Sequence, residues 1–247
     1  MISSIDFRTL KHQTYKAIKD LILKNELVPG QDIPIQKLAT NLKVSETPVR
    51  EALVMLKAEG LIDYEPHKKP KIASVSEEEV SQIYEVRKLI EPYVVSLLIA
   101  AFPKNEDLRK KMQQIEELTK KVIETSVEPY NYEEYAEIDI RFNELFIQAT
   151  SNKILREVLT LISERSMRIR AFVEATPKLT SSDLTYSVTH EHQGIVQAML
   201  HENTEEAQQR VLEHLVNAEL RTVQEMATNK KESLNPSEST RTDGTNI

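Results

Sequence analysis

The chain has 247 residues, 40% of them hydrophobic and 29% charged, which supports ordinary hydrophobic cores in one or two domains. It has no cysteine; this excludes disulfides, thiolate catalysis and cysteine-ligated zinc, and leaves His, carboxylate and amide groups as the available metal ligands. The net charge of −7 is unevenly divided, residues 1–75 carrying 12 basic against 9 acidic side chains and the remainder 20 against 30, so a mildly basic head precedes an acidic body.

The first predicted element is a helix over residues 10–26, with Leu10, Ile18, Leu21 and Ile22 apolar and Pro29-Gly30 breaking the chain after it. Residues 35–42 form a second, short helix with Leu38 and Leu42 inward. Residues 44–60, VSETPVREALVMLKAEG, form a third. Ser45 is placed to cap its free amides, Pro48 is tolerated in its first turn and Gly60 ends it. Val49, Ala52, Leu53 and Leu56 make one apolar stripe, and Arg50 and Lys57 lie on another side. The second and third helices, joined by so short a turn, form a helix-turn-helix. After Gly60 the period changes. Ile62 and Tyr64 alternate with Asp63 and Glu65, residues 66–70 (PHKKP) make a basic turn, and residues 71–75 return extended as a β-hairpin wing. Residues 1–75 are therefore expected to be a winged helix-turn-helix domain.

This stretch resembles the DNA-binding domain of the gluconate-repressor (GntR) family of bacterial transcription regulators. The match is carried by Pro29-Gly30, Leu38-Ala39, Val44-Ser45, the run Thr47-Pro48-Val49-Arg50-Glu51-Ala52-Leu53, and Glu59-Gly60-Leu61. The resemblance implies a recognition helix in the major groove, with Ser45, Thr47 and Arg50 on phosphates or base edges and His67 and Lys68 at the wing tip. Arg50 suits the part because a guanidinium grips guanine O6/N7, or a phosphate, with two donors. Position 46 is commonly basic in relatives but is Glu46 here, Gln36 stands where some have an arginine, and Lys68-Lys69 replace a common glycine. Glu46 either complements the helix dipole or accepts a hydrogen bond from a cytosine amino group.

Residues 76–79 (SEEE) read as a capping box that opens a second domain, expected over residues 76–227. Its first helix runs to about residue 102; its longest apolar run, residues 94–102, contains Ser96 and is too short to span a bilayer. The opening residues contain no apolar signal core, so a cytoplasmic protein without membrane insertion is expected. The inward stripe of this helix includes one charged residue, Arg87, whose partner is either Glu91 one turn on or an anionic ligand. Further helices are expected at 106–126, 132–150, 153–174, 182–202 and 204–227, the last capped by Asn203-Thr204, and residues 228–247 have the composition of a disordered tail. The fold class is thus mostly α, a winged helix followed by a helical domain.

Polar residues on the apolar stripes carry a second signal. Asp139 and Asn143 share one face, His192 stands between Val188 and Ile195, and His214 between Val211 and Ala218. His190 and His201 read as surface residues; Arg165, Arg168 and Arg170 cluster on one helix and either add positive charge to the cavity or, as charge runs more often do, form a solvated face. The order DIRFN, HEHQGIVQAM, then His214 resembles the FCD-type ligand-binding domain of the FadR subfamily. That resemblance implies an antiparallel helical bundle whose cavity holds a divalent metal: Asp139, His192 and His214 match three ligand positions, and Asn143 stands where a fourth His is usual. Zn²⁺, Ni²⁺ and Mn²⁺ are not distinguished by such donors. Arg87 and Asn143 are the expected effector-binding residues. The expected function is a homodimeric, metabolite-responsive regulator, a repressor, that binds double-stranded near-palindromic operator DNA under control of a small anionic carboxylate. Two alternatives stand: a metal-dependent hydrolase or lyase-like enzyme using Asp139, His192 and His214, and a regulator with a metal-free acyl or sugar-acid pocket.

Overall fold

A computed structural model describes residues 7–24, 26–65, 68–125, 132–174 and 182–234. Its elements are α1 (Phe7–Leu23), α2 (Ile35–Leu42), α3 (Glu46–Ala58), β1 (Ile62–Asp63), β2 (Lys71–Ile72), α4 (Glu77–Ala101), α5 (Glu106–Glu124), α6 (Tyr132–Gln148), α7 (Lys153–Glu174), α8 (Ser182–Leu200) and α9 (Thr204–Leu234). They form two compact units, one of residues 1–76 with 163–178, the other of residues 77–162 with 179–247.

In the first unit the period predicted for α3 is what buries it. Val49, Ala52, Leu53 and Leu56 are fully enclosed against Ile18 and Ile22 of α1 and Leu38 of α2. The α2–α3 turn is short because Lys43 takes a left-handed conformation (φ 55°, ψ 40°), its N–H bonding back to the carbonyls of Ala39 and Thr40. The strands pair antiparallel in the register Ile62–Ile72 and Asp63–Lys71. The chain before α2 adds a third edge through a bridge between Asp32 and Lys71, with Gly30 N–H donating to Ile72 O and Ile72 N–H to Gln31 O. Gly60, at φ +72°, makes the turn from α3 into the wing that a side chain would strain.

The last part of α7 also belongs to this unit. Lys19 is buried and reaches Glu59 at 2.9 Å and Glu164 at 2.8 Å, while Tyr15 donates to Glu59 at 2.5 Å. Burial alone would lower the Lys19 pKa, but hydrogen bonds to Glu164, Tyr15 and Glu59 hold it well above its ordinary value.

In the second unit α4 packs on α9, α5 on α6 and α8, and α8 on α9. Its core includes Val94, Leu98, Met112, Ile115, Ile138, Leu145, Val196, Met199 and Leu215. Asn105 caps α5 through Leu108 N–H, and Asn203 and Glu206 cap α9 reciprocally. Helix α9 continues to Leu234, beyond the end expected at residue 227, so residues 228–234 are helical rather than part of a tail; residues 235–247 lie outside the described residues. No helix of the described residues is long and apolar enough to cross a membrane.

Candidate functional site

At the start of α3, Ser45, Glu46, Thr47 and Arg50 are exposed while Pro48 and Val49 are buried, so the stripe that fixes the helix leaves these four on its outer side. Ser45 occupies the N-cap position with extended backbone (φ −73°, ψ 168°), but its side chain makes no capping bond, contrary to the sequence expectation. Glu46 in the first turn supplies the negative charge that the helix N-terminus favours. The same carboxylate holds Arg50 one turn on, at 2.8 Å. Both side chains are about half exposed, and such pairs open at little cost. A groove beside Arg50 runs past Asp32 and Pro34 to Lys68 and Lys69 of the wing. Lys68 pairs with Glu65 at 2.7 Å and holds that carboxyl below its ordinary pKa, while Lys69 and Lys71 lie 3.7 and 3.6 Å from Asp32. His67 lies outside the described residues. Val54 was missed by the sequence reading: it is 58% exposed, one turn beyond Arg50, and its absence from the buried stripe was the available signal.

The second cluster lies within the helical unit. Asp139 on α6 and His192 on α8 meet at 3.0 Å (Oδ1 to Nε2), and the His192 ring stands 4.6 Å from that of His214 on α9 and 5.5 Å from Phe142. His192 thus stands between Asp139 on one side and His214 on the other. Asn143, one turn along α6, is half-buried. Arg87 bonds Glu91 at 2.6 Å and lies 4.9 Å from the centre of the Tyr84 ring, and the Asp139 charge also acts on it. Burial would lower the Arg87 pKa, but the Glu91 carboxylate more than offsets this and keeps the guanidinium charged.

Glu191 and Arg221 were also missed. Glu191 receives two hydrogen bonds from Arg221, at 2.8 and 2.9 Å, and lies 2.7 Å from His214 Nδ1. Burial raises its pKa, but the bonds from His214 and Arg221 outweigh this and hold it at about 2. His214 itself is pushed down to about 4, chiefly by burial, so its ring is neutral near pH 7. With Nδ1–H donating to Glu191, the lone pair is left on Nε2, which is the tautomer a metal ligand requires. His214, Asn217 and Arg221 stand along one side of α9, and all three reach Glu191 on α8.

The donor chemistry of Asp139, His192 and His214 suits a borderline divalent ion. The 3.0 Å Asp139–His192 separation is that of a hydrogen-bonded pair. It is also near the spacing of two donors each about 2.1 Å from one ion. Among the described residues, however, no three His, Asp or Glu side chains are arranged around one point as they stand.

A winged helix whose third helix leaves a polar face exposed, followed by a helical domain with an enclosed polar cluster, is the architecture of a DNA-binding transcription regulator. Residues 10–68 match the gntR family of bacterial regulatory proteins, and residues 82–217 match the FCD domain. The HTH-type transcriptional regulator LutR of Bacillus subtilis is 30% identical over 219 residues, covering 81% of this chain and 94% of the relative. YdhC, an HTH-type transcriptional regulator of the same organism, is 28% identical over 202 residues, covering 82% and 86%. The solved structure of E. coli McbR/YncC has the same fold, with a TM-score of 0.70 at 18% identity, covering 92% of this chain and all of that one. The chain belongs to the GntR family of transcription regulators and carries an FCD domain. Those relatives are regulators, and the enzyme alternative is set aside with that finding.

Proposed function

We propose that this chain is a cytoplasmic, FadR-type repressor that binds a near-palindromic operator as a homodimer and changes its grip when a small carboxylate enters the helical unit. The observation that supports the reading of DNA is the groove lined by Arg50, Lys68 and Lys69, together with Asp32, beside the exposed start of α3. Arg50 reads a guanine or grips a phosphate, Ser45 and Thr47 bond the backbone, and Glu46 either orients Arg50 or accepts from a cytosine amino group. Lys68, with His67, forms the wing contact.

Exposed apolar rows support self-association. Val86, Leu89 and Tyr93 recur along α4, and Leu212, Val216 and Leu220 along α9, the two helices that pack together. A second copy covering these rows places two recognition helices on two half-sites.

For the effector, the cluster presents the carboxylates of Asp139, Glu91 and Glu191 against the guanidiniums of Arg87 and Arg221, with His214 neutral. A further anion needs added positive charge. A divalent ion held by Asp139, His192 and His214, with the Asn143 amide oxygen as a fourth donor, would supply it and polarise the effector's carboxylate; Arg87 is the second anchor. Glu191 fixes the His214 ring. A metal-free acyl or sugar-acid pocket is the second reading, favoured by the direct Asp139–His192 bond.

The test is selection of a duplex from random sequence by the full chain, followed by Arg50→Ala. Loss of specific retention with an unchanged circular dichroism spectrum supports the reading head; unaltered binding by the variant places it elsewhere.

A further inference from the structure

The sequence suggests a solvated face for Arg165, Arg168 and Arg170, but Arg168 is 4% exposed. It lies in the part of α7 that belongs to the winged-helix unit. Its two terminal nitrogens donate to two backbone carbonyls, Gly60 O at 2.7 Å and Ser74 O at 2.9 Å. Those carbonyls bracket the wing, Gly60 where α3 gives way to β1 and Ser74 just after β2. The neighbouring Arg165 closes over the same turn, its guanidinium standing 3.2 Å from where a side chain on Gly60 would begin. Lys19 and Glu164 tie the same part of α7 to α1 and, through Glu59, to the end of α3.

A buried guanidinium is well held only when its donors find acceptors, and a planar fork spans two carbonyls that an ammonium cannot bridge equally. The wing has only two residues in each strand; the edge at Asp32 pins β2 from one side, and Arg168 ties both ends of the ribbon together from α7.

We propose that Arg168 is a positioning residue for DNA binding: by clasping the carbonyls of Gly60 and Ser74 it sets the wing, and with it Lys68 and Lys69, at the angle that lets them reach the phosphate backbone while α3 reads bases. This rests on the DNA-binding reading above. It also gives α7 a role that the wing and recognition helix alone do not disclose, because residues 153–162 of the same helix are part of the helical unit.

The test compares wild type, Arg168→Ala and Arg168→Lys as full chains on the selected duplex and on a scrambled one across a salt series. If Arg168 sets the wing, Arg168→Ala loses two lysine–phosphate contacts. The slope of log affinity against log salt then becomes shallower by about 2, and affinity falls roughly tenfold or more near physiological salt. The preference for selected over scrambled duplex stays, because α3 is untouched. Arg168→Lys, which can satisfy one carbonyl, falls between. Wild-type slope and affinity in a folded Arg168→Ala overturn the proposal, as does loss of selectivity in parallel with affinity. If Arg168→Ala does not fold, Arg168→Lys decides by the same criteria. Should wild type select no duplex, the DNA-binding reading fails separately. Hydrogen exchange of the Ile62 and Ile72 amides then decides: faster exchange in the variants supports the clasp, and unchanged exchange refutes it.

Discussion

Replacing Glu91 by Gln isolates what the buried Arg87 requires. The pair meets at 2.6 Å with the side chains 15% and 5% exposed, so the guanidinium has little access to water once the carboxylate is neutralised. Breaking a buried pair from one side costs about 3–5 kcal/mol. The lower end applies here, since Gln keeps a carbonyl acceptor in the same place and both Tyr84 and the Asp139 charge still act on Arg87. At about 2–4 °C per kcal/mol for a unit of this size, the helical unit should melt roughly 6–12 °C lower. Circular dichroism or calorimetric melts at neutral pH read this directly. Arg87→Met with Glu91→Leu should recover most of the loss, because it removes both charges together. The same Glu91→Gln protein should gain more from added carboxylic acids than wild type, since an anion replaces the missing charge and stabilises by binding the folded state. A Glu91→Gln melt indistinguishable from wild type would refute the assignment of Glu91 as the group that holds Arg87.

Protein purified without chelator and analysed for bound metal should carry a divalent ion, and His192→Ala with His214→Ala should carry none; unchanged metal content in the double variant would move the site. Leu89→Glu with Leu220→Glu should convert a dimer into monomers by light scattering and lower operator affinity with it, whereas an unchanged mass would show that these rows are not the contact between copies.

Much of the fold is legible because its signals are local. The stripe Val49, Ala52, Leu53, Leu56 is a period of one helix, and it predicts the enclosed face of α3 whatever surrounds it. Asn203 and Glu206 satisfy each other three residues apart, so the start of α9 can be read directly. Ser45 is the counterexample: its position at the N-cap follows from sequence, but the side-chain bond expected there does not form. The far end of α9 also escaped, because polar residues past residue 227 carry no apolar stripe although the backbone continues helical to Leu234.

The residue types of the polar cluster were legible as inward polar positions on separate helices; Glu191 and Arg221 were not. A carboxylate beside a histidine on one helix gains meaning only when another helix brings His214 and Arg221 against it. Arg168 shows the same limit more sharply. Among three arginines on one helix, sequence favours a solvated face, because charge usually faces water. What overrides this is the approach of two backbone carbonyls more than ninety residues away in the chain, at Gly60 and Ser74. By itself the sequence determined the order of elements, the winged-helix head, the exposed polar side of α3 and the polar residue types of the helical unit, since each rests on neighbours within a few turns. Only the tertiary structure decided which charges are buried and with whom, because desolvation and pairing are set by groups that meet in space from distant parts of the chain.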